Sequence, residues 1–321
     1  IGISGFVVVL YTDSADAAEA RAAEIRAQVE LATSAVGPTG VLSHLQTERN
    51  GEAVVLLGVD LESVPGILDA AAEEGTTSLR DPTTRSIAEF KARIAASPQS
   101  VQDIFAPSLK ALDEVSRIRA DIDASTAPKG LNNPDYPRIY NEYTKVSNVL
   151  FDSTTNAALA LDDARLRTGA DLIDLAGRNK ENGSEETRHA IFAAAGMTDA
   201  QRAELAAAHA KVEQFDEQMV RKAKGTPYEA ILAKGYANPA WRAFREALGR
   251  AAAGQPFQLT ELLGAPSVAA WGALTDTHLA LSNQLVADAE ALQAQADAEA
   301  AEARERQQDV ITLAGCVVVA A

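Results

Sequence analysis

One cysteine in 321 residues excludes an internal disulfide framework and any cysteine-based zinc or iron–sulfur centre. The four histidines, His44, His189, His209 and His278, are scattered and show no HExxH or other metal-ligand spacing. Aromatic residues are 5% of the chain, so there is little of the aromatic material from which sheets are normally built. Cations are outnumbered, 29 Lys and Arg against 45 Asp and Glu, for a formal net charge of −16. Such a field repels phosphates, and no nucleic-acid partner is expected. The glycine-rich phosphate loops of nucleotide-binding proteins and the nucleophile elbow of hydrolases are missing as well. The carboxylate pairs Asp162-Asp163 and Glu185-Glu186 are adjacent in sequence; on a helix they diverge and make no general acid–base pair. An enzyme ranks last, with no catalytic residue, metal ligand or cofactor assigned.

What is present is Ala, Leu, Glu, Gln and Arg, all good helix formers, with an apolar period near 3.6 almost throughout. An all-α fold of roughly ten helices in bundles follows. Helices are expected over 15–35, 41–57, 139–161, 166–176, 184–195, 199–220, 239–253 and 267–309, with two more opening at Asp81-Pro82 and Ser97-Pro98. Breaks are expected at Gly37-Pro38-Thr39-Gly40, over 58–65 and, most clearly, over 126–137 (TAPKGLNNPDYP). On the last helix Trp271, Leu274, His278, Leu281, Leu285 and Leu292 form a heptad-like seam, which calls for a helical partner. His278 at a core position reads as a packed histidine.

The two ends depart from this composition. Residues 1–11 (IGISGFVVVLY) and 310–321 (VITLAGCVVVAA) are uncharged and rich in β-branched residues. Neither has the roughly 20 apolar residues that span a bilayer, but both read as pieces of membrane helices. No basic region precedes the first, as a signal peptide would require. The expected organisation is therefore the end of a first transmembrane helix at 1–11, a helical sensor region at 12–309 whose halves meet near 126–137, and the start of a second transmembrane helix at 310–321. The other reading of the ends is a pair of buried strands.

An all-helical module between two membrane helices is the layout of bacterial sensor receptors. Leu45-Gln46-Thr47-Glu48-Arg49 on an early helix, a basic cluster from Arg178 through Lys180 to Arg188, and Trp271-Gly272-Ala273-Leu274-Thr275-Asp276 leading into the juxtamembrane helix sharpen this. In these elements the chain resembles the nitrate- and nitrite-sensing (NIT) domain family, the extracellular sensor region of bacterial histidine kinases, chemoreceptors and related regulators. The resemblance covers about residues 12–309 and implies two bundles of the up-down four-helix type that share long helices and bind an anion between helices through arginines. The family's early Glu-Arg dipeptide is matched by Glu48-Arg49. Its Lys-Glu-x-x-Gly-x-Glu-Arg-like segment is matched loosely by 180–188, where Thr187 takes the strict arginine position and Arg188 follows. A later family arginine corresponds to Arg242 or Arg245. The ligand-binding set implied is Arg49, Asn50, Arg188, Arg242 and Arg245, in a receptor of the cell membrane that works as a homodimer with its sensor domain extracellular.

The residues make chemical sense beside the resemblance. Nitrate is planar with one delocalised charge, and a guanidinium offers a planar fork of donors that stays charged. Asn182-Gly183-Ser184-Glu185 reads as a helix start, whose free N–H groups would support an anion near Arg188. Asn50-Gly51 reads as a kink or a helix end. Against the sensor stands a structural helical ectodomain that makes protein contacts and binds no small molecule. Arginines without carboxylate partners would favour the first, and full neutralisation the second.

Overall fold

The computed structural model of the chain describes residues 2–56, 78–130, 133–194, 198–258, 261–262 and 265–320. They form α1 (Gly2–Leu56), α2 (Arg80–Ala96), α3 (Gln99–Asp123), α4 (Asp135–Leu159), α5 (Ala164–Ala194), α6 (Asp199–Ala223), α7 (Tyr228–Tyr236), α8 (Pro239–Ala252) and α9 (Ala265–Ala320). No strand occurs among the described residues, and the all-α expectation holds.

Local signals explain where several helices begin. Thr198 and Gln201 form a reciprocal capping box at the start of α6, satisfying donors that the first turn leaves open. The Asn238 side chain accepts from the backbone N–H groups of Ala240 and Trp241, and Pro239 takes the first turn of α8, where its missing N–H is no loss. Periodicity then sets the buried faces. On α3, Val101, Phe105, Ser108, Leu112, Val115, Ile118 and Ile122 face inward at steps of three and four. Each large apolar side chain so buried contributes about 2 kcal/mol.

α1 and α9 lie antiparallel along each other. Glu19 pairs with Arg304, and Arg26 with Asp297 at 2.8 Å, seven residues along on both helices. Ala22, Ala296 and Ala300 make a small-residue contact between these pairs. The main core joins α1, α2, α3, α4 and the first half of α5 to Met219, Tyr228 and Leu285. A second core gathers Leu205, Trp241, Phe244, Leu248, Ala270 and Leu274 from α6, α8 and α9. Helix α5 packs against α1, α4, α6, α8 and α9, so it is the hub between the two groups.

Three expected helix ends are absent. α1 runs unbroken through Gly37-Pro38-Thr39-Gly40 and through Asn50-Gly51 to Leu56. α5 continues past Ala176, through Gly177 and Asn182-Gly183, to Ala194. At Gly51 and Gly177 glycine serves close packing. A Cβ on Gly51 would come within 2.1 Å of the Leu79 side chain, and one on Gly177 within 2.7 Å of the Phe151 ring. Neighbouring side chains fill the space that a Cβ would take, and tertiary contact overrides the intrinsic penalty. The turn before α4 falls within 126–137 as expected, whereas the break expected over 58–65 lies outside the described residues. Helix α7 was not foreseen.

Candidate functional site

Halfway along α5 the helix is buried on every side. Asn179, Lys180, Glu181, Asn182, Ser184 and Glu186 are each less than a tenth exposed, although all are polar. Burial of such groups is tolerable only with partners, and each neighbouring helix supplies some. Gln46 of α1 donates to Glu181 at 2.9 Å, Asn179 donates to Asp216 of α6 at 2.6 Å, and Glu186 receives Arg245 of α8.

At the junction of α1, α4 and α5 two of the expected arginines meet. Arg49 is 1% exposed. Its Nη1 donates to Glu181 and, at 2.9 Å, to Thr144 of α4, while Nε reaches the Asn50 side-chain oxygen at 3.5 Å. Its Nη2 is buried and has no hydrogen-bond partner. The guanidinium carbon lies 4.2 Å from the centre of the Tyr140 ring, and that of Arg188 lies 5.2 Å from the same ring. Arg188 is held by Glu185 through Nε at 3.2 Å and Nη2 at 2.6 Å. The Tyr140 hydroxyl is also buried without a partner. Tyr136 and Phe192 continue the aromatic wall, with ring centres 6.0 Å and 5.5 Å apart along Tyr140–Tyr136–Phe192.

The tyrosines are in the right protonation state to donate. Burial pushes Tyr136 up to about 12 and Tyr140 further still, so both stay neutral phenols at physiological pH. A cation over an aromatic face gains attraction from the ring quadrupole, and Tyr140 thereby serves as a platform for both guanidiniums. Open donors on Arg49 and Tyr140 suit a small planar acceptor.

The other expected residues are placed elsewhere. Arg245 bonds Glu186 and approaches His209 at 3.5 Å, beside the Trp241 ring. This cluster belongs to α5, α6 and α8 and does not include Arg49 or Arg188. Arg242 is exposed on α8. The Asn50 side-chain oxygen lies 3.5 Å from Arg49 Nε. The helix start expected at Asn182-Gly183-Ser184-Glu185 is mid-helix in α5, so its N–H groups are engaged along the helix and no N-terminal dipole reaches Arg188. The reason is Gly183, which approaches Trp271 closely enough that a Cβ would stand 3.2 Å from the indole; here glycine marks contact, not an end.

Tyr140, Tyr136 and Glu181 escaped the sequence reading as site residues. The Glu48-Arg49 dipeptide also splits in role. Glu48 is fully buried, accepts from Arg119 at 2.7 and 2.8 Å and from Tyr143 at 2.6 Å, and ties α1 to α3 and α4. That leaves Arg49 facing α5. The aromatic residues at 136 and 140, one turn apart, are the sequence signal that would have pointed to this wall.

The model of the family described as nitrate and nitrite sensing (NIT) matches residues 40–301, a span that contains α2 to α8, the junction, the C-terminal part of α1 and most of α9. Among solved structures the chain is similar to the NasR transcription antiterminator, with a TM-score of 0.64 and 16% identity, over 96% of this chain and 83% of that one. That likeness is one of fold. No curated protein matches. With its family model covering the larger part of the sequence and every element around Arg49, the chain belongs to the nitrate and nitrite sensing family.

Proposed function

We propose that the chain is the extracellular sensing region of a bacterial transmembrane receptor, and that it binds nitrate or nitrite at the junction of α1, α4 and α5. The observation that carries this is the buried, unpartnered Nη2 of Arg49, whose guanidinium lies over the ring of Tyr140, a residue whose own hydroxyl is equally unpartnered. Leaving a buried donor unpaired costs about 1–3 kcal/mol, and an anion on these donors recovers it. Arg188 and Asn50 flank the anion; Arg245 and Arg242, on α8, join it only if α8 shifts toward the junction.

For the membrane, the support is the antiparallel register of α1 and α9. It brings the uncharged ends, 2–11 and 310–320, to the same end of the two-helix stem. No helix among the described residues is long and apolar enough to cross a membrane. In this reading the receptor is a homodimer, and its output, a histidine kinase or another domain, follows α9.

A structural helical ectodomain with no small ligand is the second reading, and one observation favours it. Glu181, Glu185 and Glu186 already accompany Arg49, Arg188 and Arg245. Thermal unfolding separates the two. Nitrate at a hundred times its Kd stabilises a binding protein by about 2.7 kcal/mol, a rise of several degrees. Arg49→Ala is expected to abolish the rise, and Arg49→Lys to lose nearly all of it, because an ammonium cannot reproduce the planar fork. A wild-type Tm that no small anion moves selects the structural reading.

A further inference from the structure

Arg188 has a second neighbour besides its carboxylate. Its Nη2 donates to Glu185 at 2.6 Å and also lies 3.2 Å from Nε2 of the adjacent His189. An arginine has no acceptor, so the imidazole nitrogen accepts; His189 is then neutral, with its proton on Nδ1. The ring sits among charges. Nε2 is 3.8 Å from Glu185, and Nδ1 is 3.6 Å from Glu204 of α6. Arg188 and Glu185 on its own helix and Glu204 on α6 are the charged groups that face it among the described residues. Burial and the Arg188 guanidinium hold His189 below the ordinary histidine value, which keeps it neutral at pH 7. The same group reaches the anion's donors. Arg188 lies over Tyr140, and the charge of Glu185 is felt at Arg49, Tyr136 and Tyr140.

We infer that His189 is a positioning residue for the anion: neutral, it helps Glu185 hold Arg188, and protonated, it draws Glu185 to itself and releases Arg188 to the anion. This rests on the proposed anion site and adds a proton dependence to it. Protonation puts a hydrogen on Nε2, where Arg188 had an acceptor, so that two donors and two cations then face each other. Glu185, 3.8 Å away, is the acceptor within reach of the new N–H. Its charge-assisted bond to the imidazolium competes with the one to the guanidinium. Arg188 has then lost one acceptor and shares the other, which leaves a donor arm for the anion. The added positive charge beside the junction attracts an anion as well. Proton and anion therefore bind cooperatively, each tightening the other by the same factor. The other buried histidines are placed differently. His209 is tied to Glu186 beside Arg245, and His278 is held neutral near 3.

Nitrate, which stays ionised throughout, is the probe. Its affinity for the wild-type chain, measured by calorimetric titration, is expected to rise about fivefold from pH 7.5 to 5.5, a range above that in which ordinary carboxylates titrate. Binding at pH 6 is expected to take up protons, so the observed heat differs between buffers of different ionisation enthalpy. His189→Gln keeps a neutral acceptor beside Arg188 at every pH and is expected to lose both the rise and the proton uptake. A wild-type affinity that does not change with pH, or an equal rise in His189→Gln, removes His189 from the control of Arg188 and leaves the site in place. If wild type binds no nitrate at either pH, the site and this inference fall together.

Discussion

In the proposed site, adjacent side chains divide structural and ligand-binding tasks. Glu48 is locked by Arg119 and Tyr143, while Arg49 keeps one arm unengaged. Lys180 and His278 form a third case, two buried basic groups whose protonated forms burial disfavours. His278 is held near 3 by burial and by the Lys180 ammonium, below the ordinary 6.5 of the unfolded chain. A depressed folded value means that the unfolded chain takes up the proton first, so stability present at neutral pH is lost as pH falls below about 6.5. At pH 5 the loss from this residue is about 2 kcal/mol. Thermal or denaturant unfolding of His278→Leu is expected to show a shallower decline between pH 7 and 5 than wild type. A decline of equal slope would mean that other groups carry the acid sensitivity.

At the level of elements, every long helix was legible, the short α7 was not, and several apparent helix ends misled. The apolar period of α3, the proline at the first turn of α8 and the irregular stretch before α4 all stand in the sequence. Gly37-Pro38, Gly177 and Asn182-Gly183 look like stops by propensity alone, but α1 and α5 pass through them. A glycine that makes room for Phe151 or Trp271 cannot be told from a cap without knowing the partner. The site was legible in the same measure. Arg49 and Arg188 could be picked as residue types that suit an anion, but Tyr140, which brings their guanidiniums together from helices distant in sequence, is visible only in the fold. The glycine argument is open to a paired test. Alanine normally stabilises a helix over glycine by about 1 kcal/mol. Gly272→Ala, with open space around its Cβ, is expected to raise the Tm. Gly177→Ala, meeting the Phe151 ring at 2.7 Å, is expected to lower it. Equal gains at both sites would show that the ring yields without loss.

Across the whole molecule, α9 packs against α5 and runs to the end that the proposed receptor assigns to the membrane. It touches Lys180 through Thr275, holds Trp271 against α8, and runs as one helix to Ala320. Glycine and proline are absent between Ala273 and Asp309. A continuous helix transmits a shift made at the bundle, whereas a flexible segment dissipates it. In the receptor proposed above, two glycines inserted between Ala298 and Glu302 are expected to leave nitrate binding unchanged and to uncouple the output. A fully responsive insertion mutant, read by the receptor's own output, would contradict transmission through a rigid α9.

All of this depends on an anion residing at the junction of Arg49, Tyr140 and Arg188, and calorimetric titration measures it directly. Nitrate titrated into the wild-type chain at pH 7 is expected to bind at one site per chain, and Arg49→Ala is expected to give no heat of binding. Equal nitrate affinity in wild type and Arg49→Ala would place the anion elsewhere, and the junction would then be a purely structural cluster of paired charges.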